Sequence, residues 1–252
     1  MGPDQLARAL RERSPLVQCL TNFVSMDLVA NLLNAAGASP AMVHDPEEAA
    51  ELAGLASAVV VNIGTPSPRW VEGMHAAAGA AHDRGIPWVL DPVAVGATAY
   101  RRSIVADLLP LQPTVIRGNA SEILALATQA GAGRGVDATD DSEAVKGDAE
   151  ALARQTGSVV VVSGAADVVT DGERTELVRG GDSRMPLISA LGCASTALVA
   201  AACAIIDDPV EASVSAMALL ARAGQAAGGT AVGPGSLRPA ILDALWATGE
   251  LA

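Results

Sequence analysis

The sequence predicts an open α/β fold: a central, mostly parallel sheet with helices on both faces and antiparallel strands at one edge. Three observations predict it. Short β-branched runs are nearly continuous in apolar residues, as in strands covered on both faces. Longer alanine-rich stretches with helical spacing lie between them, and this repeated order implies right-handed crossovers. Late in the chain, Asp171-Gly172 separates two extended runs, which reads as a tight hairpin turn.

The elements follow in order. Leu16–Leu20 is the first strand, and helical spacing follows over Met26–Ala36 and Glu47–Leu55. The second strand, Ala58–Ile63, leads to a helix over Arg69–Arg84. Trp88–Leu90 precedes a helix at Ser103–Leu109, and Thr114–Ile116 precedes one at Ser121–Thr128. A Gly-, Ala- and Asp-rich stretch, Gln129–Asp141, reads as an exposed loop before a helix over Ser142–Thr156 and a strand at Val159–Val162. After the hairpin region, Val168–Val178, the spacing gives helices over Cys193–Ile206, Pro209–Ala227 and Ser236–Thr248. There is no internal repeat and no long linker, so residues 1–252 read as a single domain.

Composition removes several functions. Half of the 252 residues are hydrophobic and 17% are charged, far too apolar for a disordered chain. The net charge of −12 repels phosphate backbones, which argues against nucleic acid. Three Trp, one Tyr and one Phe leave little for stacking on bases. Cys19, Cys193 and Cys203 are few and widely spaced, neither a disulfide framework nor a zinc pattern, and suggest a reducing, cytosolic setting. The polar start Met1–Gln5 has no apolar core behind it and does not read as a signal peptide. The uncharged stretch Ala190–Ile206 is shorter than the about 20 residues of a membrane span and reads as a buried helix.

In open α/β sheets, ligands bind beyond the carboxyl ends of the strands. Polar residues and glycines gather there: Asn62-Ile63-Gly64-Thr65, Asp91-Pro92-Val93, Arg117-Gly118-Asn119-Ala120-Ser121-Glu122, Ser163-Gly164 and Ala190-Leu191-Gly192-Cys193. Each has a bland reading. Asp91 suits a cap of the following turn. Asn119 and Glu122 suit a capping box. Together, however, two acids and Arg117 could hold magnesium and polyphosphate. The helix start at Gly192-Cys193 offers free N–H groups to an anion, and a cysteine there is expected to have a lowered pKa. An equally good reading makes Cys193 a small core residue. Cys19 and Cys203 are assigned to the core. The dispersed His44, His75 and His82 form no triad or metal pair, and His75 and His82 look solvated. Neither a P-loop nor G-x-G-x-x-G occurs.

Several pieces in order resemble the hydroxyethylthiazole kinase family of the ribokinase-like superfamily: Thr21-Asn22-Phe23-Val24, Gly37-Ala38-Ser39-Pro40-Ala41-Met42, Asn62–Thr65, Asp91–Val93, Arg117–Glu122, Gly135-Val136-Asp137 and Gly233-Pro234-Gly235-Ser236. The resemblance implies a three-layer ribokinase-like fold and ATP-dependent phosphorylation of 4-methyl-5-(2-hydroxyethyl)thiazole. It also implies a homotrimer with the thiazole near a subunit boundary. By position, Met42 would contact the thiazole, with Asn22, Gly64, Thr65 and Ala190 nearby. Arg117, Ser163, Asn119 and Gly192 would contact ATP, and Asp91 and Glu122 would serve Mg2+ and phosphate. Cys193 stands where many relatives of this fold place a catalytic Asp. The family usually reads Gly-Ala-Gly-Cys before this helix, whereas here Ala190-Leu191 replace the first two residues. Competing readings are a dehydratase repairing hydrated nicotinamide cofactors, which would favour Asp over Cys193, a kinase for thiamine's pyrimidine half, which lacks the Thr21-Asn22 and Met42 segments, and a non-catalytic nucleotide- or precursor-binding protein.

Overall fold

The computed structural model describes residues 1–131 and 141–250. The interior of the expected loop Gln129–Asp141, with the Gly135-Val136-Asp137 piece, lies outside the described residues. Eight strands form one sheet: β1 (Leu16–Leu20), β2 (Ser39–Ala41), β3 (Ala58–Asn62), β4 (Trp88–Asp91), β5 (Val115–Asn119), β6 (Val159–Ser163), β7 (Ala166–Thr170) and β8 (Thr175–Arg179). Their order across the sheet is β2-β1-β3-β4-β5-β6-β7-β8. Pairing is parallel from β2 through β6, and β7 and β8 add antiparallel at one edge. The hairpin turn is wider than the two residues expected. Asp171 N–H donates to Arg174 C=O (3.3 Å), and Asp171 Oδ1 accepts from the N–H groups of Glu173 and Arg174. Gly172 supplies the left-handed residue at φ 93°, a conformation that costs glycine little.

The helices are α1 (Pro3–Arg13), α2 (Met26–Ala36), α3 (Ala49–Ala53), α4 (Pro68–Arg84), α5 (Ala99–Leu108), α6 (Ala120–Gln129), α7 (Lys146–Thr156), α8 (Leu191–Cys203), α9 (Pro209–Gly228) and α10 (Pro234–Glu250). Strand alternation divides the core into two layers. Val17, Cys19, Val60, Val89 and Val115 face α1, α2, α8, α9 and α10. Leu20, Val59, Val61, Leu90 and Ile116 face α3 to α7. Each fully buried Val or Leu here contributes about 1.5–3 kcal/mol. The sandwich of helix, sheet and helix is the three-layer arrangement the sequence predicts.

The differences from expectation are local. α1 escapes the sequence pattern because its buried stripe is only Leu6, Ala7 and Leu10, although Pro3 and Asp4 in its first turn are good starting signals. β2 is three residues long and contains Pro40, a residue confined to sheet edges. α5 begins a turn earlier than expected because the Thr98 side chain caps it, accepting from Arg101 N–H at 3.2 Å. α8 ends at Cys203, so that residue is half-buried at the helix end rather than mid-helix. Cys19 is buried in the core as expected, and His82 is exposed. Among the described residues no helix is long and apolar enough to cross a membrane.

Topology fixes the crevice. β2 flanks β1 on one side and β3 on the other, so the connections reverse between β1 and β3, and a cleft opens at their carboxyl ends. Parity then selects its lining. Asn62, Asp91 and Arg117 each stand two residues after Val60, Val89 and Val115. All three therefore point to the face on which α8 packs against β1, β3 and β4.

Candidate active site

A chain of buried polar contacts crosses the cleft. Parallel pairing sets Asn62 beside Asp91. Asn62 Nδ2 donates to Asp91 Oδ2 (2.6 Å), and Asn62 Oδ1 accepts from Asn22 Nδ2 and from Gly64 N–H, each at 2.9 Å. Asn22 Nδ2 also reaches Cys193 Sγ (3.3 Å) at the start of α8. The turn at Gly64 needs a glycine, because a Cβ there would stand 2.5 Å from Asn22 Nδ2. Thr65 Oγ1 accepts from Phe23 N–H (3.2 Å) and ties the two loops together. The structure thus gathers Asn22, Gly64, Thr65 and Cys193. Met42 follows β2 at the sheet edge, half-buried against the same core layer as Ala190 and Cys193, and the hydrogen-bond chain does not reach it.

Asp91 is 2% exposed. It does not cap the following turn as the bland reading has it. Its Oδ2 accepts from both Asn62 Nδ2 and Thr196 Oγ1 (2.9 Å). Burial pushes its pKa from 3.8 to about 6, a rise that Arg117 opposes and the Glu122 charge reinforces. The carboxyl is therefore ionised at neutral pH but poised to protonate just below it.

Glu122 does form the expected capping box. Its Oε2 accepts from Asn119 N–H while Asn119 Oδ1 accepts from Glu122 N–H, both at 2.9 Å. It does more than cap: Oε1 accepts from Ala94 N–H (2.9 Å) in the loop after β4. Ser163, beside Asn119 in the β5–β6 register, donates to Gly118 C=O (3.3 Å). No group of three His, Cys, Asp or Glu able to hold a metal occurs among the described residues. Asp91 and Glu122, at neighbouring strand ends, are the carboxylates that a magnesium ion taking its other ligands from water and phosphate could use.

Arg117 is 7% exposed, and its buried Nε has no partner. Its Nη1 lies 3.0 Å from where a Cβ on Gly192 would stand, so glycine lets the guanidinium reach the start of α8. There, Leu191 N–H donates back to Ile188 C=O and Ala194 N–H closes the first turn on Ala190 C=O. The N–H groups of Gly192 and Cys193 lie between these and make no bond among the described residues. Two free amides, the positive helix end and a guanidinium whose Nε has no hydrogen-bond partner among the described residues are suited to receive an anion.

Cys193 departs from expectation. Its pKa is raised to about 11, by burial first and then by the Asp91 carboxylate; the bond from Asn22 and the Arg117 charge lower it only in part. The helix start is outweighed, and the side chain is a neutral thiol at pH 7.

Ala190 caps α8 in the left-handed region, φ 68°. A non-glycine residue there costs about 1–2 kcal/mol. Ala190→Gly removes that cost but frees the unfolded chain, which returns about 0.4–1 kcal/mol. We expect a net gain near 0.5–1 kcal/mol, read as a higher thermal midpoint; a lower one refutes the strain.

The sequence pattern marks Asn62 only as part of a strand-end segment, with no role of its own, and misses Thr196. Asn62 was legible through parity with Asp91. Thr196 lies one turn after Gly192, whose carbonyl its hydroxyl also meets (3.3 Å), and only its distant contact with Asp91 marks it.

Known proteins share this sequence and this fold. A profile of the Hydroxyethylthiazole kinase family matches residues 7–250. A hydroxyethylthiazole kinase of Cereibacter sphaeroides is 56% identical over 94% of this chain and 90% of its own. One of Rhizobium johnstonii is 54% identical over 96% and 91%. The solved hydroxyethylthiazole kinase structure from Pyrococcus horikoshii superposes with a TM-score of 0.90 at 37% identity, over 97% of this chain and 92% of that one. Bacillus subtilis pyridoxal kinase shares the fold, with a TM-score of 0.61 at 18% identity over 82% of this chain and 90% of that one.

Proposed function

The chain belongs to the hydroxyethylthiazole kinase family, and from that premise we infer that it transfers the γ-phosphoryl group of ATP to the hydroxyl of 4-methyl-5-(2-hydroxyethyl)thiazole in thiamine biosynthesis. The observation that carries this reading is the match over nearly the whole chain to relatives of that name. The buried Asn22–Asn62–Asp91–Thr196 chain leading to a free helix start supplies the matching chemistry.

Phosphoryl transfer depends on positioning and charge stabilisation rather than on covalent catalysis. The substrate alcohol would lie beside Cys193 and Asn22, with Gly64, Thr65, Met42 and Ala190 around the ring. Its oxygen attacks the γ-phosphorus, the bond to the β-phosphate oxygen breaks, ADP leaves, and the hydroxyl proton passes to solvent. The Gly192 and Cys193 amides and Arg117 would receive the transferred group. Ser163 and Asn119 would hold ATP from the ends of β6 and β5. Asp91 and Glu122 would hold Mg2+, which neutralises phosphate charge when bound. A loose transition state asks little of a base, so the neutral Cys193 thiol acts as a spacer. Cys193→Ala is expected to keep turnover within about tenfold of wild type; total inactivity with unchanged ATP affinity would show that the thiol is required.

Exposed Phe23 and Val24, 67% and 66% accessible and adjoining Thr65, support a subunit contact beside the thiazole, and the family resemblance implies that the assembly is a homotrimer; light scattering that reads a monomer would exclude it. Three free thiols support a cytoplasmic setting.

A coupled ADP-release assay with the thiazole alcohol, ATP and magnesium tests the reading. Saturable, alcohol-dependent ADP release is expected. Binding without turnover would favour a non-catalytic binder, and neither binding nor turnover would sink the thiazole assignment.

A further inference from the structure

Arg101 stands outside the network described above, yet it touches both halves of the site. It is the third residue of α5, a position where a cation is disfavoured by about 0.3–1 kcal/mol by the helix dipole. A local rule broken in this way calls for a compensating role. The half-buried guanidinium turns back from the helix and meets three main-chain carbonyls. Nη1 donates to Ile63 C=O (2.6 Å) and Val93 C=O (2.7 Å), and Nη2 donates to Gly64 C=O (2.6 Å). Ile63 and Gly64 form the loop after β3, on the substrate side. Val93 lies in the loop after Asp91, on the phosphate side.

The contact with Val93 continues further. The carbonyl of Val93 and the N–H of Ala94 belong to one peptide. That N–H donates to Glu122 Oε1, and Ala94 is held in the left-handed region at φ 53°. A single strained peptide therefore links Arg101 to Glu122, and polarisation by the cation at its carbonyl strengthens the bond from its N–H. Arg102 braces the same loop from outside, donating to Gly96 C=O (2.9 Å). A planar fork with five donors can span carbonyls of two loops, which a lysine ammonium cannot do in the same way.

We propose that Arg101 is a positioning residue for phosphoryl transfer, holding the Ile63-Gly64 loop in register with Glu122 through the Val93–Ala94 peptide. The proposal rests on the kinase reading, because the two loops are functional halves only if alcohol and phosphate meet between them. A misplacement near 1 Å costs a rate on the order of a hundredfold, and the effect falls on alignment rather than on nucleotide contact.

The test compares full-length wild type, Arg101→Ala and Arg101→Lys in the ADP-release assay, with circular dichroism and thermal melts alongside. In Arg101→Ala, kcat is expected to fall at least about tenfold with the KM for ATP within about threefold, while the protein stays folded at the assay temperature. Arg101→Lys is expected to recover little of that loss. Guanidinium chloride at tens of millimolar, well below denaturing levels, should restore part of the turnover of Arg101→Ala but not of Arg101→Lys, whose stem fills the space. A folded Arg101→Ala with kcat within threefold of wild type overturns the proposal. So does a loss that guanidinium leaves unrestored, or unfolding of both variants, which assigns Arg101 to the scaffold. Absence of alcohol-dependent ADP release from the wild type is a separate failure and strikes the kinase reading itself.

Discussion

Asp91→Asn is expected to melt higher than wild type by roughly 5 °C and to lose at least about a hundredfold in turnover. The two effects share one cause. A carboxyl whose pKa rises from 3.8 to about 6 on folding costs on the order of 3 kcal/mol when ionised at neutral pH. Asparagine removes the charge and keeps both bonds, since its Oδ1 can accept from Asn62 Nδ2 and Thr196 Oγ1 in place of the carboxylate oxygen. The sign in pH follows. The folded state binds this proton more tightly than the unfolded chain. The stability that protonated Asp91 contributes is fully present below pH 3.8 and is lost as pH rises through about 6. Melts in buffer free of nucleotide and divalent cations should show the wild-type margin below Asp91→Asn shrinking from pH 7 to pH 5. Turnover runs the other way, because the phosphate site needs the carboxylate, and the wild-type rate should decline below about pH 6. An Asn variant that is both less stable and fully active would refute the assignment of Asp91.

Arg117→Ala is expected to lower kcat/KM for ATP by roughly a thousandfold, the scale of an arginine acting on a transferred phosphoryl group. Arg117→Lys should recover only part of this, since an ammonium cannot make the bidentate contact. A second readout separates this role from a scaffold role. The Arg117 charge lowers the Asp91 pKa, so its removal should move the acid limb of the pH–rate profile of residual activity to higher pH. Arg117 also supports the buried Asp91 charge, so a thermal melt at the assay pH accompanies the kinetics and shows whether the variant is folded. A variant with near wild-type ATP kinetics would remove Arg117 from the anion site.

Much of this site was legible in the chain. The apolar runs located β3 and β4 to within a residue and β5 to within three, and the rule that ligands gather at the carboxyl ends of strands pointed to Asn62, Asp91 and Arg117. The capping box of Asn119 and Glu122 has a three-residue spacing that survives in the structure because it is a local interaction. What failed to show were features made by contacts distant in sequence. Thr196 reaches Asp91 across 105 positions, and nothing near Thr196 in the chain announces it. Arg101 lay just before the helix expected at Ser103, because the Thr98 cap was passed over. Cys193 was misjudged for a related reason: the helix start is a local feature, whereas the burial and the Asp91 charge that outweigh it come from elsewhere.

The sequence by itself therefore determined the α/β architecture, the hairpin edge and the set of strand ends that carry chemistry. These rest on periodicity and on short-range hydrogen bonding, both of which act between residues a few positions apart. Only the tertiary structure decided which of those ends meet across the cleft, which carboxylate is buried and poised near pH 6, and which cation reaches the helix start. Desolvation and Coulomb energies depend on distance in space, and packing α8 onto the sheet sets those distances.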